Sequence, residues 1–384
     1  MKRIPRNERG MALAVAIFAL VVVGALVAGA FFAGTQEQRV GENQRRVQTS
    51  FGVAEAGAQE RVLAWDPTTM NKRPVYPADS VAIATTNAPN GTGSYGGYSY
   101  KTGANLFLID VTGRDNASAA GAIAGGGGAR QRIGMLTRIA PVDFGIKASL
   151  TTQGGVSLSG NADVNGTDQI PTGWTSCGPT GLPQAGIRDP GANVSATGNG
   201  TVIGTPPIVN DPTVNNNTFT NFGGATYAQL AAKATVTLAP GSYQIQPVLN
   251  GAGACDQTVM TNWGDGTNPT APCGSYFPII HITGDATLNG VQGQGILLVD
   301  GTLSVQGSFQ FFGIAIMQND LKTSGGGSTD AHFWGGVMAK NADLSTQSLS
   351  GKATLNFSSC TILTVLQATS PISMMRSRGW AQLF

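Results

Sequence analysis

The N-terminus joins a short basic segment to a long uncharged one, and this combination constrains the chain more than any other feature. No charged residue occurs between Met11 and Thr35. Residues 1–10 contain Glu8 and four basic residues, Lys2, Arg3, Arg6 and Arg9. An apolar segment of this length predicts a membrane-spanning helix, and the basic residues before it predict a cytoplasmic N-terminus. We therefore expect a single membrane pass, with the bulk of the chain on the far side.

A cleavable secretory signal is the alternative interpretation of this segment. Ala28, Gly29 and Ala30 form a small-residue site after which a signal peptidase could cut. The apolar core of such a signal is usually about 7 to 15 residues long, and the uncharged segment is longer. A retained membrane helix is therefore the favoured interpretation.

Apolar residues continue at helical spacing beyond the uncharged segment. They follow one another at steps of three, four or seven residues: Val40, Val47, Phe51, Ala54, Ala58, Val62 and Trp65. This spacing places them on one face of an amphipathic helix. A helix from Met11 to about Trp65 is on the order of 80 Å long at 1.5 Å per residue, so one half can cross a bilayer while the other packs on a folded domain.

Several motifs of this region carry a family resemblance. They are Arg9-Gly10-Met11-Ala12-Leu13, the polar segment Gln36-Glu37-Gln38-Arg39, Asn43 with Arg45 and Arg46, and Ala54-Glu55-Ala56-Gly57. Over roughly Arg9 to Glu60 the chain resembles the N-terminal region of PilX-type pilus assembly proteins, which belong to the type IV pilin-like proteins. The resemblance implies that residues 1–10 are a leader, which prepilin peptidase removes between Gly10 and Met11. Met11 would then be the new, methylated N-terminus.

The resemblance also implies how the helix is used. Four residues would pack between the helices of neighbouring subunits: Ala12, Val15, Phe18 and Val22. Major pilins carry Glu at the fifth mature position, which here is Val15, and this departure implies a minor or tip-located subunit. The implied partners are other pilins or minor pilins, prepilin peptidase and the inner membrane. The implied location is the inner membrane, with the bulk of the chain periplasmic or extracellular, and the pilus or cell surface after assembly.

The segment after the helix changes from small polar residues to strand-like runs. Residues with β-branched and aromatic content occupy Tyr95 to Lys101, Asn105 to Val111 and Gln131 to Ile139. They predict a small antiparallel sheet in a unit spanning 66–140, on which the outer half of the 11–65 helix would pack. The fold class predicted for this part is a pilin-like helix with a small sheet.

A repeat occupies the C-terminal part of the chain. Apolar trios start at Ile296, Ile314 and Val337, and each is followed by a second short strand, near Leu303, Leu321 and Leu344. Spacings near 20 residues with several short strands per repeat predict a solenoid. We expect a parallel β-helix over 141–366 and a tail or cap over 367–384, so that the whole chain is mainly β with one long N-terminal helix.

The four cysteines all follow the membrane segment, and three pairings of them are open. Cys255 and Cys273 bracket a short loop, which favours that bridge and leaves Cys177 with Cys360. Closely spaced Cys or His pairs, which a zinc site would use, are missing. We expect disulfides, no metal and no cofactor.

No motif in the sequence predicts catalysis. Nucleophile elbows, metalloprotease helices and phosphate-binding loops do not occur. His281 and His332 lie in apolar sequence typical of strands. A formal net charge of +2 without a basic patch outside the N-terminus argues against nucleic acid. We expect a non-enzymatic protein.

The alternative hypothesis is a membrane-anchored β-helix that binds or cleaves polysaccharide. Acidic residues are available for it: Asp163, Asp168, Asp285, Asp300, Asp320, Asp330 and Asp343. Turn chemistry explains most of these acids without a catalytic role. Tyr95, Tyr98 and Trp263 could contact a partner or a surface, although each is expected to be core or turn filler. A surface or polysaccharide ligand therefore stays unidentified at this stage.

Overall fold

The computed structural model describes residues 8–89, 91–116, 128–175, 177–178, 180–191, 193–323, 330–345, 352–375 and 379–383. The chain forms two compact units. The first comprises residues 1–64, 74–138 and 374–384, and the second comprises 65–73 and 139–373. The second unit therefore interrupts the first in sequence.

Five helices lie within the described residues: α1 (Glu8–Leu63), α2 (Pro67–Met70), α3 (Asn216–Thr220), α4 (Tyr227–Ala231) and α5 (Ser359–Thr369). The strands of the N-terminal part are β1 (Val81–Asn87), β2 (Gly93–Gly103), β3 (Leu106–Asp115) and β4 (Arg130–Ile139). They are followed by β5 (Ala148–Thr152), β6 (Val156–Ser159), β7 (Asn161–Asn165), β8 (Ala185–Asp189), β9 (Val194–Ala196), β10 (Thr201–Ile203), β11 (Ile208–Asn210), β12 (Val236–Leu238) and β13 (Gly241–Ile245). The remaining strands are β14 (Ile279–Ile282), β15 (Ala286–Gly290), β16 (Gln292–Val299), β17 (Leu303–Val305), β18 (Gln310–Met317), β19 (Asp320–Thr323), β20 (Asp330–Ala339), β21 (Asn341–Ser345), β22 (Lys352–Phe357), β23 (Ile372–Met374) and β24 (Trp380–Leu383).

The first unit is a helix on an antiparallel sheet. Strands β1, β2, β3 and β4 follow one another as a meander, and β24 pairs antiparallel with β4. The strand-like runs near Tyr95, Asn105 and Gln131 correspond to β2, β3 and β4. Strand β1 lies in a segment where small polar residues masked the strand pattern.

Two expected boundaries differ from the structure. The small β unit was expected to span 66–140, but residues 65–73 belong to the second unit. Trp65 and Met70 are buried there, and the Asn71 side chain donates to the carbonyl oxygens of Gln367 (2.7 Å) and Ser370 (2.9 Å) at the end of α5. These are carbonyls that a helix C-terminus leaves unpaired. The expected tail or cap at 367–384 also differs, because α5 extends to Thr369 and β24 joins the antiparallel sheet.

The second unit is a solenoid of parallel strands. One sheet, called here the wide sheet, contains β5, β7, β8, β10, β11, β12, β14, β16, β18, β20 and β22. The other, the narrow sheet, contains β6, β9, β13, β15, β17, β19 and β21. Apolar side chains from both sheets form one buried core, among them Leu150 and Leu297 of the wide sheet and Leu288 of the narrow sheet. The outer face of the wide sheet is also covered by apolar residues, including Phe219, Leu230 and Val365 of the three short helices, so its central strands are buried throughout.

The coils do not stack in chain order. The chain enters at β5, β6 and β7, and the next coil stacks on one side, with β8, β9 and β10 beside them. The chain then passes through α3 and α4 to the opposite end, where β12 and β13 begin a second run of coils. This run stacks back until β20, β21 and β22 pair with β5, β6 and β7.

The sequence repeat aligns with this stacking except in its last member. Ile296 pairs with Ile314, but Ile314 pairs with Gly336 rather than Val337. In the narrow sheet Leu303 pairs with Leu321, and Leu321 pairs with Ala342 rather than Leu344. A shift of two residues keeps the same face inward, so Leu321 and Thr323 are both buried, opposite Ala342 and Leu344 respectively.

Candidate functional site

The N-terminal half of α1 is an uncovered apolar surface. The residues expected to pack between helices all lie there, and Ala12, Val15, Phe18 and Val22 are exposed, with Val15 66% and Phe18 70% accessible. Within the described residues, α1 is the helix that is long and apolar enough to cross a membrane, and none of its apolar window is buried. Large apolar patches exposed to water are unfavourable and mark membrane or protein contacts.

The expected cleavage position lies near the start of this helix. Gly10 and Met11 both have helical backbone in α1, and Met11 is exposed. Residues 1–7 of the expected leader lie outside the described residues. The segment from Met11 to Thr35 is about 37 Å long at 1.5 Å per residue, which exceeds the roughly 30 Å hydrocarbon core of a bilayer.

A polar segment separates the apolar half of α1 from the half that packs on the sheet. It contains Gln36, Glu37, Gln38, Arg39, Glu42, Asn43, Arg45 and Arg46. The guanidinium of Arg46 donates to Glu42 Oε1 at 2.6 Å, one turn earlier in the helix. Charged side chains strongly prefer water to lipid, so this segment marks where the apolar surface of α1 ends.

Small residues let the C-terminal half of α1 approach the sheet closely. Val53, Ala54 and Ala58 are buried. A Cβ at Gly113 of β3 would lie 2.2 Å from the Ser50 carbonyl oxygen and 2.4 Å from the Ala54 nitrogen. No side chain fits at such distances, so glycine at 113 and alanine at 54 set the separation of helix and sheet.

Tyr95 joins α1 to β2 and belongs to the core. A Cβ at Gly57 would lie 2.4 Å from the Tyr95 ring. The hydroxyl of Tyr95 donates to Glu60 Oε2 at 2.5 Å, and burial, with this hydrogen bond, raises the pKa of Tyr95 to about 12. Arg61, the next residue of α1, donates from its Nε to Ser99 Oγ at 3.2 Å. The sequence Ala54-Glu55-Ala56-Gly57 therefore has a packing role in this structure.

Both disulfides in the solenoid unit join the pairs that the sequence favoured. Cys255 and Cys273 are bonded, with Cα atoms 4.8 Å apart, and Cys177 is bonded to Cys360 with Cα atoms 5.7 Å apart. The first bridge closes a loop that holds Trp263, which is fully buried and contacts Phe309 edge to face. Trp263 is therefore part of the core and offers no surface for a partner.

Three of the acidic residues considered for polysaccharide chemistry, Asp168, Asp285 and Asp300, make structural hydrogen bonds, whereas the side chain of Asp330 lies outside the described part of the chain. Asp168 accepts from the Ser359 backbone nitrogen (2.8 Å) at the start of α5, and Asp285 accepts from the Thr302 nitrogen (2.7 Å). Asp300 accepts from the Tyr227 hydroxyl (2.8 Å) and lies 3.0 Å from His281 Nε2. The Asp168 contact is a helix-end hydrogen bond, the Asp285 contact joins neighbouring coils, and Asp300 is held by the side chains of Tyr227 and His281. Within the described ranges, no group of three or more Cys, His, Asp or Glu side chains is arranged to hold a metal.

One group of surface residues was not recognised as a group from the sequence. Tyr98 and Tyr100 lie on the face of the antiparallel sheet opposite α1, where Asp110 and Arg132 form a two-pronged ion pair. The available signal was the alternation in β2, which places Tyr95 and Ser99 on the helix side and Tyr98 and Tyr100 on the other. Of the aromatics considered as surface contacts, only Tyr98 is exposed.

Comparisons with known proteins add a similarity among solved structures. No protein-family model matches the chain, and no curated protein matches it. Among solved structures, the competence-associated pilin ComZ from Thermus thermophilus aligns with 88% of this chain and 97% of its own length. The aligned residues are 12% identical and the TM-score is 0.25, so the proposals below are drawn from the geometry of this chain.

Proposed function

We propose that the chain is a non-enzymatic minor pilin-like subunit of a type IV pilus or a related assembly, similar to the PilX-type proteins. The observation that carries the proposal is the division of α1. Its first half is apolar and uncovered, and its second half is fastened to an antiparallel sheet through Ala54, Gly57 and Ala58. Such a helix inserts into a membrane or a bundle of like helices while the sheet holds it to a folded domain.

The apolar half of α1 would act by helix packing. Val15 at the expected fifth mature position has no charge to pair with a neighbouring subunit's N-terminal amine. An unpaired carboxylate in lipid is costly, so valine suits a position without that partner. This supports a minor subunit that uses apolar contacts through Ala12, Phe18 and Val22, with other pilins as partners.

The solenoid would be displayed outside the cytoplasm. Two disulfides fit an oxidising compartment, which lies across the membrane from a basic N-terminus. The carboxylates of Asp168, Asp285 and Asp300 have structural hydrogen bonds, which supports a role without turnover.

The mature N-terminus tests this proposal. Mass spectrometry of the protein purified from its own membrane fraction should find a chain that starts at Met11 and is methylated there. Gly10→Val should leave the leader attached, because the proposed cleavage follows Gly10. The matched control is Gly24→Val, since a Cβ at Gly24 meets nothing within 4 Å, and this variant should be cleaved normally. A chain that starts at Met1 or Phe31 would overturn the pilin-like role.

A further inference from the structure

The open face of the antiparallel sheet carries a shallow depression with an unusual mixture of side chains. Its volume is about 410 Å³, and it is lined by Gly97, Tyr98, Tyr100, Asp110, Thr112, Arg130, Gln131, Arg132 and Leu383. All of these residues belong to the first unit. The lining combines aromatic rings, amides and an ion pair, which is the chemistry of a polar ligand with apolar faces.

An aromatic wall forms one side of the depression. The Tyr98 and Tyr100 rings are stacked with centroids 6.0 Å apart, and Tyr76 contacts Tyr100 edge to face at 5.2 Å. Tyr98 is 48% exposed even though its ring is held by Tyr100. A ring fixed in this way offers a rigid apolar platform at little further entropic cost.

A polar wall faces the tyrosines. Arg132 Nε and Nη2 donate to the two carboxylate oxygens of Asp110 at 2.9 and 2.6 Å. The Asp110 side chain is nearly buried, whereas that of Arg132 is about half exposed. The pair holds Arg132 in one orientation while its remaining N–H groups are available to donate to a ligand oxygen.

The charges on this face do not balance. Arg114 pairs in register with Arg130 across β3 and β4, and Thr112 pairs with Arg132. Like charges directly opposite one another on the same face destabilise a sheet. Asp110 neutralises Arg132, and among the described residues neither Arg114 nor Arg130 makes an ion pair. An anionic group placed at Arg130 would therefore remove a repulsion that the sheet otherwise carries.

We propose that this depression binds an acidic polysaccharide, with one sugar ring on Tyr98 and a carboxylate or sulfate at Arg130. The C–H face of a sugar ring suits the exposed aromatic ring, and its hydroxyl groups suit Arg132 and Thr112. The volume accommodates one or two rings, which favours a glycan over the extended phosphate contacts of duplex DNA. This role goes beyond subunit assembly and does not depend on leader cleavage.

Isothermal titration of the detergent-solubilised full chain tests the proposal. The probes are trigalacturonate as the acidic glycan, maltotriose as the neutral one and a short DNA duplex. We expect saturable trigalacturonate binding, weaker maltotriose binding and weaker duplex binding. Tyr98→Ala should weaken trigalacturonate binding by about tenfold or more, whereas Tyr98→Phe should retain it because the ring remains.

Variants that remove one positive charge distinguish a specific glycan site from non-specific electrostatic attraction of an anionic ligand. Arg130→Gln should weaken trigalacturonate binding by about tenfold and reduce its salt dependence. The matched control is Arg138→Gln, an exposed arginine of the same strand that does not line the depression. The affinity of this variant for trigalacturonate should stay within about twofold of that of the unmodified chain.

Three results would overturn the proposal. One is the absence of saturable trigalacturonate binding at concentrations up to about 1 mM. Another is equal loss of affinity in Arg130→Gln and Arg138→Gln, which would indicate general charge attraction. The third is duplex binding that is tighter than glycan binding and lost in Arg130→Gln, which would assign the face to nucleic acid. Because binding is measured on the purified chain, its failure would leave the N-terminal processing result unchanged.

Discussion

Leu150 of β5 pairs in register with Val337 of β20, although these strands belong to opposite ends of the solenoid sequence. Both side chains are buried in the core between the two sheets. The pair joins the coil where the chain enters the solenoid to the last coil that it completes. The stack is therefore continuous in space only when the first and last coils are both in place.

This pairing predicts the effect of removing its side chains. Leu150→Ala should lower the free energy of unfolding of the solenoid unit by about 2 to 5 kcal/mol, because it leaves a cavity in the core. Denaturant titration measures the change. The control Leu182→Ala, at a side chain that is 82% exposed, should change it by less than about 0.5 kcal/mol. Equal effects of the two variants would contradict the junction described here.

The close approach of α1 to β3 predicts that alanine substitutions at two glycines have very different effects on stability. Gly113→Ala should destabilise the first unit, because the new Cβ would lie 2.2 Å from the Ser50 carbonyl oxygen. Gly52→Ala, on α1 with nothing within 4 Å of the new Cβ, should be neutral or stabilise by up to about 1 kcal/mol through helix propensity. Thermal unfolding followed by circular dichroism compares them, and a tolerated Gly113→Ala would refute the packing role.

The exposed half of α1 predicts its accessibility in cells. Val22 and Val40 are both exposed on α1 in the isolated chain. In spheroplasts, Val40→Cys should react with a membrane-impermeant maleimide, and Val22→Cys should be protected because lipid or neighbouring helices cover it. Disulfide-bonded native cysteines do not compete for the reagent. Equal labelling of the two variants would show that the apolar half is not inserted.

Removal of the disulfide between Cys255 and Cys273 should disorder the loop that this bridge closes. In the loop-entropy model, a bridge across the 18-residue separation of Cys255 and Cys273 stabilises by about 3 kcal/mol. Cys255→Ser with Cys273→Ser should lower stability by about this amount and speed proteolysis within 246–276. The comparison is the double variant of Cys177 and Cys360, in which that loop should stay resistant. Equal resistance in both variants would contradict a role for the short bridge in holding Trp263.

The contact of Tyr95 with Glu60 predicts that the stability of the folded chain depends on pH in the alkaline range. Burial raises the pKa of Tyr95 to about 12 in the folded chain, above its ordinary value of 10.0. The protonated Tyr95 hydroxyl contributes fully to the free energy of unfolding below about pH 10. This contribution is lost as the pH rises toward 12, because Tyr95 ionises more easily in the unfolded chain. Tyr95→Phe should remove this part of the alkaline loss, as denaturant titrations across the range would reveal. An unchanged pH profile in that variant would assign the loss to other groups.

The part of the fold that follows from local patterns was predictable. The uncharged run before Thr35 and the apolar stripe through Phe51 and Ala58 indicate a long helix, since both patterns repeat along the chain at helical spacing. The apolar trios at Ile296 and Ile314 indicate stacked coils because they recur 18 residues apart, a spacing typical of solenoid repeats. Strand β1 was not predicted because its outward residues are small. Strand β24 was not predicted because four residues are too few to show an alternating pattern.

The candidate surface on the sheet was only partly predictable. Tyr98 is exposed as the strand alternation requires, but its neighbours Asp110, Arg130 and Arg132 come from strands paired with it through long-range contacts. The same holds for Tyr95, whose place in the core depends on Gly57 of another element. Alternation assigns a face to each residue, and only strand order decides which residues share it.

Sequence alone determined that an apolar, uncharged helix leads into a β-rich chain with repeated coils, because hydrophobic periodicity is a local property. The tertiary structure decided the order of those coils and the place where Leu150 meets Val337. Every coil presents a similar apolar strand to its neighbours, so the pattern cannot rank one neighbour above another. That choice depends on how the coils fit together and on the helices and loops that cover the outer face of the wide sheet.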